Sequence, residues 1–359
     1  MEATNGAAGE NALITRGEEP LNLEMPFARL RDWITPNEEF YVRCHFPVPE
    51  IDSKTWRLRI AGSVAQELEF TLAELQKLPV HTITATLECA GNGRSFLEPK
   101  VKGVAWDTGA VGNARWTGVL LRDVLQRAGV KADAHEVILE GADHGAIKEP
   151  PRPPGEISYA RSVPLAKAAD DVLLAFAMND EPLTPAHGFP LRAVVPGWFG
   201  MASVKWLQRI VVSDAPFNGY YQSIDYTYWV QRDGLPTLLP LAEMQVKAQI
   251  ARPAMHEIVP CNAKYRVRGA AWASAAAMAK VEVSSDAGAS WSDAELLGPT
   301  ARNAWRFWEF DWQTPAEPTT CRLIARATDA NGRTQPRDRI AEYGTYMINH
   351  WLPVEVEVR

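Results

Sequence analysis

The chain contains no apolar run near the roughly 20 residues needed to cross a bilayer, and its opening, Met-Glu-Ala-Thr-Asn-Gly, lacks the basic region and apolar stretch of a leader. Basic residues are in deficit, 37 Lys and Arg against 44 Asp and Glu, for a net charge of −7. With no basic stripe, neither nucleic acid nor a membrane surface is expected as a partner, and any anion site must be a local pocket of cations. Cysteine is scarce. Cys44, Cys89, Cys261 and Cys321 are too few for a disulfide framework. Cys261 and Cys321 fall in one domain and could pair, although buried free thiols are the favoured expectation. No Cys-x-x-Cys-His haem attachment motif is present. The chain as read points to the cytoplasm, or to the periplasm if it is a processed form.

What is present suits two domains. A length of 359 residues exceeds what one core usually organises, and 46% hydrophobic with 23% charged residues is ordinary for a globular chain. Residues 1–12 are polar and expected to be disordered. Residues 13–245 mix strand and helix signals, giving an α+β class. A period-two pattern over 56–62 predicts a strand, and Thr71-Leu72-Ala73-Glu74 is a capping box opening a short helix before Pro79. Residues 82–87 form a β-branched strand, 117–128 read as an amphipathic helix ended by Gly129, and the Pro- and Gly-rich stretch 145–157 predicts a surface loop. From about 246 to 359 the pattern changes to short alternating strands with turn signals, which predicts a β-sandwich. A hairpin is expected around Asp286-Ala287-Gly288. The tryptophans of 305–312 suit its core.

One cysteine stands out. Cys89 follows the strand of 82–87 and precedes Ala90-Gly91-Asn92-Gly93, so a rigid strand end presents a thiol where glycines allow a bulky ligand to approach closely. A soft, electron-rich thiolate is the side chain best suited to a high-valent redox metal.

The segment Cys89-Ala90-Gly91-Asn92 resembles the sulfite oxidase family of molybdopterin-dependent oxidoreductases, of the haem-free bacterial type. The resemblance continues in Ile34-Thr35-Pro36-Asn37, Phe40-Tyr41-Val42-Arg43-Cys44-His45-Phe46-Pro47-Val48-Pro49, Lys102-Gly103-Val104-Ala105-Trp106, Gly112-Asn113-Ala114-Arg115-Trp116-Thr117-Gly118-Val119 and Met178-Asn179. It runs on through His187-Gly188-Phe189-Pro190-Leu191-Arg192 and Val204-Lys205-Trp206-Leu207. It implies a mixed α/β molybdopterin-binding fold followed by an immunoglobulin-like domain that mediates homodimerisation. It implies molybdenum bound by Cys89 and by the dithiolene of molybdopterin, the cofactor held by Tyr41, Val42, Arg43, Cys44, His45, Asp143, His187, Arg192, Ser203, Val204 and Lys205. For the substrate it implies Arg43, Arg94, Lys102 and Trp106 around the anion, with Tyr226 as the phenol that orients it and assists proton movement.

The activity so implied is oxidation of sulfite to sulfate, with two electrons leaving singly to a separate acceptor such as a cytochrome or oxygen. The chain departs from the family's animal and plant members at Cys44, where they carry asparagine, and at Gly93 and Tyr343, where they carry arginines. Fewer cations weaken the hold on a dianion. Two alternatives therefore stay open: oxygen-atom transfer in the reductive direction on an S-oxide or N-oxide, and a non-catalytic binding protein.

Overall fold

Strand-forming residues dominate the chain, and the computed structural model, which describes residues 13–359, consists mostly of strands with few helices. The segment 1–12 lies outside the described residues. The strand Val80–Glu88 is rich in threonine and pairs antiparallel with Val111–Leu120 along nine residues, from Val80↔Val119 to Glu88↔Val111. Leu173–Met178 joins the far side of Val111–Leu120 and carries Arg192–Val194 in turn. This sheet delivers Cys89 at one strand end and Arg192 at another.

A second five-stranded sheet runs Leu68–Phe70, Leu58–Gly62, Leu207–Ser213, Glu136–Ala146, Glu156–Pro164, with one parallel pairing between Leu58–Gly62 and Leu207–Ser213. The register of Glu136–Ala146 against Glu156–Pro164 breaks between Glu140 and His144, and Asp143 sits inside that irregularity. A three-stranded sheet of Ile14–Gly17, Asn22–Glu24 and Val42–Arg43 brings Arg43 to the same region.

The capping box forms as expected: the Thr71 side chain accepts from the Glu74 amide at the start of the helix Leu72–Leu75. The helix expected over 117–128 is shorter. Residues 117–120 complete the strand Val111–Leu120, and only Leu121–Ala128 is helical, with Gly129 left-handed at its end. Pairing on both sides overrides the helical period there. Thr117 opposes Thr82 with hydroxyls 2.8 Å apart, and a Cβ on Gly118 would lie 2.0 Å from the Leu174 carbonyl oxygen. The proline-rich stretch is a loop between strands ending at Ala146 and beginning at Glu156.

The second domain is a sandwich of a four-stranded sheet, Lys247–Arg252, Lys264–Trp272, Arg306–Gln313 and Glu295–Leu297, and a five-stranded one, Ile258–Val259, Val354–Val358, Thr319–Asp329, Met278–Ser284 and Ser292–Asp293. Its core holds Trp308 and Trp312 with Val267, Val281, Leu323 and Val356. Trp305 instead packs into the first domain's core and donates from its indole to the Trp33 carbonyl at 2.9 Å. Cys261 and Cys321 are free and half-buried.

Candidate active site and metal centre

Residues from three of the first domain's four sheets line one cavity. The Cys89 side chain reaches its wall, 7% exposed. Burial pushes the thiol up, while the guanidinium groups of Arg43 and Arg94 and the Gly91 amide pull the other way. A metal bound at this sulfur would displace its proton.

Arg43, on Val42–Arg43, donates to the Cys44 carbonyl and to Asn22 Oδ1, the latter at 3.4 Å. His45 Nε2 and the Tyr226 hydroxyl share a hydrogen bond of 2.6 Å, and the His45 ring stacks on Tyr159 with centroids 4.3 Å apart. Burial, reinforced by Arg43 and Lys205, holds His45 well below its ordinary range, so the ring is neutral at pH 7. Burial likewise raises the Tyr226 phenol despite facing Arg43. Tyr226 has a φ of +35°, unusual for an aromatic residue and a mark of a position held by its surroundings.

At the other end of the cavity, the Arg192 guanidinium donates to the carbonyls of His187 and Ser203 at 3.1 and 3.2 Å and lies 4.8 Å over the Trp116 ring. Lys205 Nζ donates to Cys44 Sγ at 3.2 Å and to the Ala186 carbonyl at 2.9 Å, over the Trp206 ring. Burial lowers both, Arg192 to about 10, and burial together with Lys205 and Arg192 lowers His187 to about 3. Asp143 is raised by burial to about 6 and its Oδ1 has no protein partner. Two glycines permit this crowding. A Cβ on Gly188 would meet those of Lys205 and Arg192 at 3.0 and 3.1 Å, and one on Gly141 would meet Asp143 Oδ1 at 2.6 Å and the Lys205 carbonyl oxygen at 2.7 Å.

Of the residues singled out in the sequence, the cavity brings together Cys89, Tyr41, Arg43, His45, Asp143, His187, Arg192, Ser203, Lys205 and Tyr226. Val42 and Cys44 pack with Trp206, and Val204 packs in the main core; none of the three lines the cavity. Trp106 is fully buried in the apolar cluster that holds Cys89, with its indole N–H unpartnered. Arg94 stands behind the cavity wall, donating to the carbonyls of Thr345 at 3.2 Å and Val104 at 2.9 Å, beneath the Tyr346 ring. Lys102 is corrected outright: it is exposed on the surface and paired with Glu149, because the loop after Arg94 carries it outward. Tyr159 was not singled out. Its signal is the alternation Tyr159, Arg161, Val163 on the strand facing that of Asp143, which marks an inward face.

A thiol, a cluster of buried cations and neutral histidines, and an orphaned carboxyl oxygen form a donor set fitted to an anionic, metal-carrying cofactor. Residues 45–221 match the family model described as oxidoreductase molybdopterin binding domain, and residues 239–359 match the Mo-co oxidoreductase dimerisation domain. The chain is 38% identical to mitochondrial sulfite oxidase of Mus musculus, covering 97% of this chain and 66% of that protein. It is 37% identical to sulfite oxidase of Gallus gallus, covering 90% and 73%. It is 32% identical to NADH nitrate reductase of Hordeum vulgare, covering 95% and 40%. The structure of the sulfane dehydrogenase SoxCD from Paracoccus pantotrophus superposes with a TM-score of 0.82 at 28% identity, covering 98% of this chain and 92% of that one. The chain belongs to the sulfite oxidase family of molybdopterin-dependent oxidoreductases. It spans 66% of the length of the murine relative, and the family's molybdenum–molybdopterin cofactor fits the residues present.

Proposed function

We propose that the protein oxidises a small sulfur oxyanion, sulfite to sulfate, at a molybdenum held by Cys89 and molybdopterin, and passes two electrons singly to a separate acceptor, a cytochrome or oxygen. The observation that carries this reading is one buried cavity that joins the Cys89 thiol, the Arg43 guanidinium and the hydrogen-bonded Tyr226–His45 pair. When bound, the molybdenum centre supplies two-electron redox chemistry and oxygen-atom transfer.

The chain's own residues do the rest. Arg192, Lys205 and His187 grip the cofactor's phosphate, with Tyr41, Asp143 and Ser203 beside them and main-chain groups of Val42, Cys44 and Val204 completing the hold. Arg43 binds the substrate anion. Oxidation of sulfite with water as oxygen source releases two protons with the two electrons, and the Tyr226 hydroxyl with His45 Nε2 is the route by which a proton leaves. Arg94 acts on the charge of the thiol from behind the wall, and Trp106 keeps that wall dry. Residues 246–359 join two copies into a homodimer, which light scattering of the purified protein checks.

Protein from a molybdopterin-competent host should reduce ferricyanide with sulfite. Cys89→Ser should lose the metal and at least about 100-fold of this activity, since even an outer partner of a metal ligand is worth about 10–100-fold. Turnover no faster than cofactor-free protein, with a sulfoxide oxidising reduced dye instead, would overturn the reading in favour of the reductive direction. A second substrate is favoured by the position of Arg94. With that guanidinium bonded to carbonyls, a single guanidinium faces the cavity beside the thiol, which suits a singly charged sulfane sulfur; turnover of the two substrates, measured side by side, separates them.

A further inference from the structure

Side chains alternate along the strand Val80–Glu88, so Cys89 and Glu88 point to opposite sides: the thiol into the cavity, the carboxylate toward the second domain. There the Glu88 carboxylate is fully engaged. Its Oε1 accepts from Lys247 Nζ at 2.9 Å and from Asn92 Nδ2 at 3.1 Å, and its Oε2 accepts from the Trp272 indole at 2.8 Å. Lys247 and Trp272 oppose each other in the register of Lys247–Arg252 against Lys264–Trp272 in the second domain. Lys247 Nζ also donates to the Asn92 carbonyl at 3.1 Å.

The loop bearing Cys89 is thereby gripped at both ends. Asn92 closes it by donating from its amide to the Cys89 carbonyl at 2.9 Å, while Asn92 Oδ1 accepts from the Ala110 amide at 3.1 Å and the Cys89 amide donates to the Ala110 carbonyl at 2.8 Å. Lys247 and Glu88 are 2% and 3% exposed, and a charge pair so deep and so fully hydrogen-bonded adds little net stability over apolar residues of the same size. Such a pair's best use is to fix a geometry.

We infer that Lys247, reaching from the second domain, is a positioning residue for the Cys89 ligand: through Glu88 and Asn92 it sets the direction in which the sulfur meets the metal. This rests on the proposed role of Cys89. The second domain is then part of the metal centre's scaffold as well as a means of association.

The test compares holoenzymes. Lys247→Met should shift the sulfur-to-molybdenum charge-transfer absorption and the electron paramagnetic resonance of the one-electron-reduced metal, and lower kcat about 10-fold with KM essentially unchanged. Lys247→Arg should restore part of both. Trp272→Phe, which removes only the indole donor, should give a smaller shift of the same kind and decides the matter if Lys247→Met does not fold. A folded variant that loads less metal supports the same conclusion. Spectra identical to wild type in the folded variants, with only a lower Tm, would overturn it. Failure of the cysteine assignment is separable, because wild-type protein would then hold no metal or keep the absorption band after Cys89→Ser.

Discussion

Two lysines near the Cys89 loop and the cavity illustrate opposite uses of a buried cation. Lys247 has a carboxylate at 2.9 Å and a carbonyl at 3.1 Å. Lys205, among the described residues, has no carboxylate within salt-bridge distance; a thiol, a carbonyl and an indole face are its partners, and it lines the cavity. A cation whose partners are all internal and of opposite charge fixes structure. A cation crowded by Arg192 and left with neutral partners beside an open cavity is held ready for an anion from outside.

The sharpest way to break this contrast is Glu88→Ala. It leaves the Lys247 ammonium buried with a carbonyl but no counter-charge, and the Trp272 indole N–H without its acceptor, and should cost about 3–5 kcal/mol in denaturant unfolding of the apoprotein. Next comes pH. His187, held near 3 in the folded chain, stays neutral while the unfolded chain takes up a proton below its ordinary value of 6.5. Its effect on stability is absent above that value and destabilising as pH falls toward 3, amounting to about 2 kcal/mol at pH 5. His187→Gln should make the unfolding free energy fall less steeply over that window, His45 keeping part of the slope, and an anion in the cavity should lift the His187 titration measured by NMR. The smallest stability change belongs to Lys205→Met. Apoprotein stability should move by about 1 kcal/mol or less, because no carboxylate loses its partner, while cofactor affinity falls about 10-fold or more with the lost charge-assisted bond. A loss as large as that of Glu88→Ala would erase the distinction between the two lysines.

Much of this was legible along the chain because the signals were local. The threonine-rich strand, the glycines after Cys89 and the capping box at Thr71 each act within a few residues, and Trp308 and Trp312, on one face of their strand, fall into the second domain's core. Residues 117–120 misled because their pairing partners, 80–82 and 173–177, lie far away in sequence and decide their conformation. Lys102 misled for a related reason: nearness to a motif says nothing about which way a loop carries a side chain. The Glu88–Lys247 pair joins residues 159 positions apart, and no periodicity reports such a contact.

The Tyr346 hydroxyl, on the second domain, is bonded to Asp225, and its ring lies 5.0 Å from that of Tyr226. Asp225 is the chain neighbour of the phenol that meets His45, and its Oδ1 also accepts from the Tyr226 amide at 3.0 Å. Tyr346 thus works as a latch on the Tyr226–His45 pair from more than a hundred residues further along the chain. The Tyr226–His45 pair is therefore braced only once the second domain has folded against the first.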